Sequence, residues 1–129
     1  MPPLLRVLWV LPVSLPAAAL ALLGRATGGH LALQDGVLEA AGGVLPPVLT
    51  LLNPRLRIAA ITLGHVVLAR TRDDLERTRT HERVHGRQFE RWGPLFPLLY
   101  LGAGAVMFLR GRRAYWDNPY EQEAREAEG

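Results

Sequence analysis

The sequence predicts a small α+β domain behind an N-terminal apolar helix. Three observations predict it. The stretch Leu4 to Leu23 holds 20 residues and a single charge, Arg6. Alternating and β-branched runs follow, separated by Asp-Gly, Pro-Pro and Asn-Pro breaks. A charged stretch with apolar residues at helical spacing then runs to Trp92. A length of 129 residues fits one core. The expected organisation is a membrane anchor or signal segment over residues 1–24 and a folded domain over residues 28–129.

Composition excludes several function classes. Hydrophobic residues make up 49% and charged residues 21%, which is not the balance of a disordered chain. Without cysteine there is no disulfide framework, no cysteine-ligated zinc finger and no thiol nucleophile. All 15 basic residues are arginine, but 12 acidic residues are interspersed and the net charge is only +3. No basic block of the kind that tracks a phosphate backbone is present, so nucleic acid is not an expected partner.

Taken in order, the elements read as follows. Leu4–Leu23 would reach about 30 Å as a helix, the depth of a bilayer core. A signal peptide with Ala19-Leu20-Ala21 as its cleavage site is one reading, and it would make the mature chain secreted or periplasmic. A retained membrane helix with Pro12 and Pro16 as tolerated kinks is favoured, because signal-peptide cores are shorter. Arg6 and Arg25 flank it and do not set an orientation.

Residues 30–43, HLALQDGVLEAAGG, read as a hairpin about Asp35-Gly36. Val48 to Leu52 is a short apolar run between proline-marked loops. Arg57 to Arg70 reads as one β-branched strand with a bulge or tight bend at Gly64. Asp73 is the expected N-cap of the charged helix, with Glu76 closing a capping box, and Gly93-Pro94 ends it. Leu75, Thr78, His81, Val84, His85, Phe89 and Trp92 fall on its apolar side, with Phe89 and Trp92 expected in the core.

Pro94 to Leu109 is apolar but short for a span. It is expected to pack as a helix behind the charged one, or to form a shallow helical hairpin about Gly102 and Gly104. Asn118 and Pro119 open a last helix that carries Glu121 and Glu123.

The chemistry lies in His81-Glu82-Arg83-Val84-His85. Residues i and i+4 share a helix face, so two imidazoles there can grip one metal ion. Glu82 is rotated about 100° from His81 and so stands beside such an ion as a proton acceptor rather than a ligand. A third protein ligand is required. His30 and His65 lie upstream, in the hairpin and the strand. Glu121 and Glu123 are the better candidates, although Glu121 also sits where a capping-box glutamate would.

The segment AAITLGHVVLARTRDDLERTRTHERVHGRQFE resembles the core of small bacterial gluzincin-like domains, such as those found with extracellular contractile injection systems. The matching positions are Thr62, Gly64, His81, Glu82, His85 and Gln88. YEQEAREAE is similar to the E-x-E-A-D segment of membrane gluzincins, with Arg125 where those carry aspartate. The resemblance covers residues 58–91 and 118–126. It implies a zincin-like metallopeptidase domain in which His81, His85 and Glu121, or alternatively Glu123, bind Zn²⁺ and Glu82 is the general base. It also implies a polypeptide substrate, which a membrane-anchored enzyme would find among membrane proteins. Gln88 and His65 are candidates for the shell behind the ligands. Tyr100, Tyr115, Tyr120 and His65 are candidate oxyanion donors.

One metal ion constrains the topology. A crossing by residues 94–109 would part the histidines from the late glutamates by roughly 25 Å, so this stretch is not expected to span. Arg83, Arg87, Arg91, Arg110, Arg112 and Arg113 then become available to anionic lipid headgroups. The competing expectation is a zinc-stabilised membrane adaptor or structural protein without catalysis.

Overall fold

The computed structural model describes residues 2–128. A helix apolar all round cannot bury its whole surface on one sheet, and α1 (Pro3–Ala26) hides one face only. Val10, Ser14, Ala17, Ala21 and Gly24 are its buried residues. Their spacing of four, three, four and three puts them on one side. All but Val10 are small, so the helix axis comes close to the sheet beneath.

The strands are β1 (His30–Gln34), β2 (Val37–Ala41), β3 (Ala60–Leu63) and β4 (Val66–Ala69). They form one sheet in the order β1-β2-β4-β3. β1–β2 and β3–β4 are antiparallel hairpins, and β2–β4 pair in parallel. Asp35 (φ 56°) and Gly36 (φ 76°) both lie in the left-handed region, as a two-residue hairpin turn of this hand requires.

Period-two alternation divides the sheet's side chains between two layers. Ala40, Val66 and Leu68 face α1 and pack with Ala17, Ala21 and Leu45. Ala41, Val67 and Ala69 pack on the other side with Leu75 of α3 (Arg72–Trp92). The result is an α+β fold in which a four-stranded mixed sheet lies between α1 and α3.

Several expected boundaries move. Arg57–Arg70 is two strands, not one. Leu63 pairs with Val66, so Gly64-His65 is a two-residue hairpin turn. Gly64 sits at φ 68°, and a Cβ there would stand 2.2 Å from Ser14 Oγ, so the turn needs glycine for conformation and for clearance under α1. The run Val48–Leu52 belongs to a helix, α2 (Leu45–Leu52), whose first turn accommodates proline. Thr71, not Asp73, caps α3: its Oγ1 accepts from Asp74 N at 3.0 Å. The helix therefore starts two residues before the expected capping box.

Gly93 (φ 61°) ends α3 as expected, and a 3₁₀ turn over Gly93–Leu95 leads into α4 (Phe96–Leu109). α4 runs unbroken through Gly102 and Gly104, so there is no hairpin there. The reversal comes at Gly111 (φ 74°). Neither is α4 a buried backing helix, since only Phe96 and Gly104 along it are buried. Trp92 is 40% exposed rather than a core residue. α5 (Pro119–Ala127) begins as read, with Asn118 Oδ1 accepting from Tyr120 N at 3.0 Å.

Two helical stretches, Pro3–Ala26 and Arg72–Leu109, are long and apolar enough to cross a membrane. Composition at the N-terminus fits a signal sequence equally well. α1 is nonetheless tied to the domain along its length. Ser14 Oγ accepts from His65 N at 3.0 Å. Trp9 Nε1 donates to the Glu90 carbonyl at 3.0 Å, and Arg6 pairs with the Glu90 carboxylate at 3.2 Å.

A buried carboxylate fixes α3 on the sheet. Glu39 is 2% exposed, on the α3 side of β2. Arg79 donates to its two oxygens at 3.1 and 2.9 Å, and Arg83, one turn on, donates at 2.8 Å. Burial by itself would raise the Glu39 carboxyl, but the hydrogen bonds and charges of Arg79 and Arg83 outweigh it and hold it below the ordinary 4.5.

Two stability outcomes follow from this packing. Gly64→Ala is expected to lower stability by roughly 2–3 kcal/mol, from the left-handed backbone and the contact with Ser14; denaturant unfolding measures it, and a loss near zero would contradict the close approach. Glu39→Ala is expected to cost about 3 kcal/mol at neutral pH, the low end for a broken buried pair because Arg79 is partly solvated. Since the folded state lowers the Glu39 pKa, its contribution is full above the unfolded value and is lost as pH falls below about 4.5. The wild-type unfolding midpoint should therefore drop more steeply than that of Glu39→Ala as pH falls through that range.

Candidate metal centre

The i, i+4 spacing of His81 and His85 places both rings on the side of α3 that faces α5. Both are buried, and so are Glu82 and Glu121. His81 Nε2 and His85 Nε2 stand 3.2 Å apart, and each lies 2.8 Å from Glu121 Oε1. These three atoms are the group of ligand type that the fold assembles.

The donor set fits a metal ion. Zinc takes imidazole nitrogen and carboxylate oxygen at about 2.0–2.2 Å, which separates tetrahedral ligands by roughly 3.3 Å. The triangle here has edges of 2.8, 2.8 and 3.2 Å, a few tenths of an ångström tighter.

Both imidazoles also have a partner on the opposite nitrogen. His85 Nδ1 lies 2.8 Å from Gln88 Oε1, and His81 Nδ1 lies 3.3 Å from Glu128 Oε1. With a metal bound, acceptors there would keep the proton on Nδ1 and free the Nε2 lone pairs for the ion, the arrangement usual behind metal-bound histidines; without it, Nε2–H can donate to Glu121. The set consists of nitrogen and carboxylate donors common to several divalent metals, so it does not by itself identify the ion.

Glu121 is presented by the first turn of α5. It is not a capping residue, since its carboxylate faces the histidines. Burial would raise this carboxyl; hydrogen bonds to His81 and His85 and the donated Tyr100 hydroxyl outweigh burial and hold it down at about 2. Tyr100 reaches it from α4, its hydroxyl 2.5 Å from Glu121 Oε2. Glu121 is thus an ionised carboxylate with one oxygen toward the histidines and the other occupied by the phenol.

Glu82 lies off this ligand face, as the 100° rotation requires. Thr62 of β3 donates to Glu82 Oε1 at 2.9 Å and lies 3.1 Å from the Glu82 carbonyl. The side chain therefore has a fixed direction beside the three ligand atoms.

The remaining expected residues sort cleanly. Glu123 does not join the histidines; its carboxylate accepts from Gln88 Nε2 at 2.7 Å. Gln88 thereby links His85 to α5, and it also donates to the Tyr120 carbonyl at 3.1 Å. His65 is elsewhere, 3.1 Å from Glu90 under α1, because the Gly64-His65 turn points it toward that helix. Tyr120 packs edge-on to Phe96 at 5.1 Å. Tyr115 stacks edge-on with Trp116 at 5.2 Å.

Arg125, where the resembling families carry aspartate, donates to the Trp116 carbonyl and lies over its ring. Glu128, three residues later and so near the same helix face, is the acid that reaches His81. Neither that contact nor the pairing of Glu39 with Arg79 and Arg83 has a local sequence signal, since each joins residues 40 or more positions apart. Tyr100 carried no local signal, because its contact with Glu121 exists only through the chain reversal after α4.

No protein-family model, curated protein or solved structure matches this chain.

His81→Ala, His85→Ala and Glu121→Ala should each abolish stoichiometric metal in the purified protein, whereas Glu123→Ala should retain it. Elemental mass spectrometry on the four variants and wild type tests this. Metal retained in Glu121→Ala would show that the carboxylate is not a ligand.

Proposed function

We propose that the chain is a membrane-associated zinc peptidase of the gluzincin type, with a zincin-like arrangement of His81, His85 and Glu121. The observation that carries this reading is the buried His-His-Glu triangle with a separately anchored glutamate, Glu82, beside it. Zn²⁺ in this triangle would supply Lewis acidity toward a peptide carbonyl and a lowered pKa for a bound water.

The chain's own groups supply the rest. Glu82 accepts a proton from the attacking water and returns it to the leaving amine. Thr62 holds one of its oxygens, so the other is the one that takes the proton. Glu121 would offset the charge of the cation, and the Tyr100 hydroxyl occupies its second oxygen. β3 is an outer strand of the sheet and carries Thr62, so an extended polypeptide adding to that edge would pass beside Glu82. A substrate that is itself a membrane protein fits the apolar surfaces of α1 and α4. The packing of Val10, Ser14, Ala17 and Ala21 on the sheet favours α1 as a retained helix, because cleavage after Ala21 would remove one wall of the core.

One observation favours a second reading, a zinc-stabilised membrane adaptor without catalysis. The ligands and Glu82 are all nearly closed off from solvent, as in metal sites that hold a fold together. Glu82→Gln separates the two. In a peptidase it should lower turnover of casein or a peptide library by 10²-fold or more while zinc content stays at wild-type level. Equal turnover in wild type and variant would remove Glu82 from the mechanism, and zinc-loaded wild type without turnover would support the adaptor.

A further inference from the structure

α4 is apolar on both faces, and the two faces meet different surroundings. The inner face carries Phe96, Tyr100 and Gly104. Phe96 packs edge-on to Phe89 of α3 at 4.7 Å, and Gly104 lies under the returning chain at Ala114. The outer stripe is Leu98, Leu101, Ala105, Phe108 and Leu109, all exposed, with Leu98 at 69% and Phe108 at 71%. An apolar helix with so little protein around it calls for another apolar partner.

The sequence bounding the stripe indicates which one. Arg110, Arg112 and Arg113 follow directly. Arg113 lies 3.7 Å from Asp117, and among the described residues Arg110 and Arg112 form no ion pair. Trp116, about half exposed, comes next. Cations and an indole at the end of an apolar stripe suit an anionic headgroup layer over acyl chains. α4 has 14 residues, which extend about 21 Å, short of a bilayer core. At Gly111 the chain turns back.

We propose that α4 lies in the plane of an anionic lipid leaflet, with its outer stripe among the acyl chains and Arg110, Arg112 and Arg113 at the headgroups. Through Tyr100 this docking sets the placement of Glu121. The proposal rests on reading His81, His85 and Glu121 as a metal site. Tyr100 holds the Glu121 helix at two points: its hydroxyl meets Glu121 Oε2 at 2.5 Å, and its carbonyl accepts from Asn118 Nδ2, on the α5 N-cap, at 3.1 Å. Lipid on the outer stripe holds the inner face in register. Without it, Glu121 loses the donor that keeps one oxygen aside for the histidines.

The absence of cysteine allows a clean test on the full chain. Phe108→Cys and, as a control, Arg55→Cys each carry one NBD label in vesicles of 3:1 phosphatidylcholine and phosphatidylglycerol. The label at 108 should be blue-shifted and quenched by brominated lipid, and the label at 55 should not. Zn²⁺ affinity, read by competition with a chromogenic chelator, should weaken about 10- to 100-fold in Leu101→Asp and in Tyr100→Phe. The double variant should be no worse than the weaker single one, since both act through one contact. Tyr100→Phe should leave the label signal unchanged. An aqueous spectrum at 108, wild-type affinity in Leu101→Asp, or additive losses would overturn the proposal. Zinc binding that fails in wild type itself would instead overturn the metal reading beneath it.

Discussion

Everything on α3 depends on the carboxylate of Glu39. A helix lying on a sheet can slide or roll by a fraction of a turn at small cost if only apolar side chains meet, because such contacts are non-directional. Glu39 removes that freedom. It is buried in β2 and takes three hydrogen bonds from Arg79 and Arg83, which are a turn apart on one face of α3. Once those two positions are fixed, helical geometry fixes the others. Glu82 comes to Thr62, and His81 and His85 come to α5. A roll of α3 would carry Glu82 away from Thr62 and both imidazoles away from Glu121 together.

The ligand group is organised in the same manner, by polar contacts that each have a counterpart. His85 is held by Gln88, Gln88 by Glu123 and the Tyr120 carbonyl, His81 by Glu128, and Glu121 by Tyr100. Glu123 and Tyr120 belong to α5, and Glu128 follows it directly. A nine-residue helix has little stability by itself. Here its order comes from the side chains that tie it to α3, and it brings the third ligand in return.

Much of this was legible in the sequence where the signal is local. The first hairpin, the glycine stop of α3, the Asn118-Pro119 start of α5 and the HExxH spacing are all encoded within a few residues, and the fold carries each of them. Thr71 and Asp73 are both good caps, and where α3 meets the sheet decides for Thr71. Gly64 in the sequence marks a bulge or tight bend, and only the pairing of Leu63 with Val66 makes it a full reversal. Glu121 and Glu123 differ by two residues and about 200° around α5, and spacing alone left both open. The Tyr100, Glu128 and Glu39 contacts join residues from 21 to 47 positions apart, so no window of sequence contains them.

The small-residue face of α1 has a consequence for biogenesis. Helix α1 is synthesised before the groups that receive it: Ser14 meets His65, and Arg6 meets Glu90, 84 residues further on. At about 5–20 residues per second, Glu90 follows Arg6 from the ribosome by on the order of ten seconds. During that interval both the inward and the outward faces of an almost uncharged helix are unpartnered. Water is a poor place for it to wait. The order of synthesis thereby makes α1 the element whose apolar surface waits longest for the sheet that covers it.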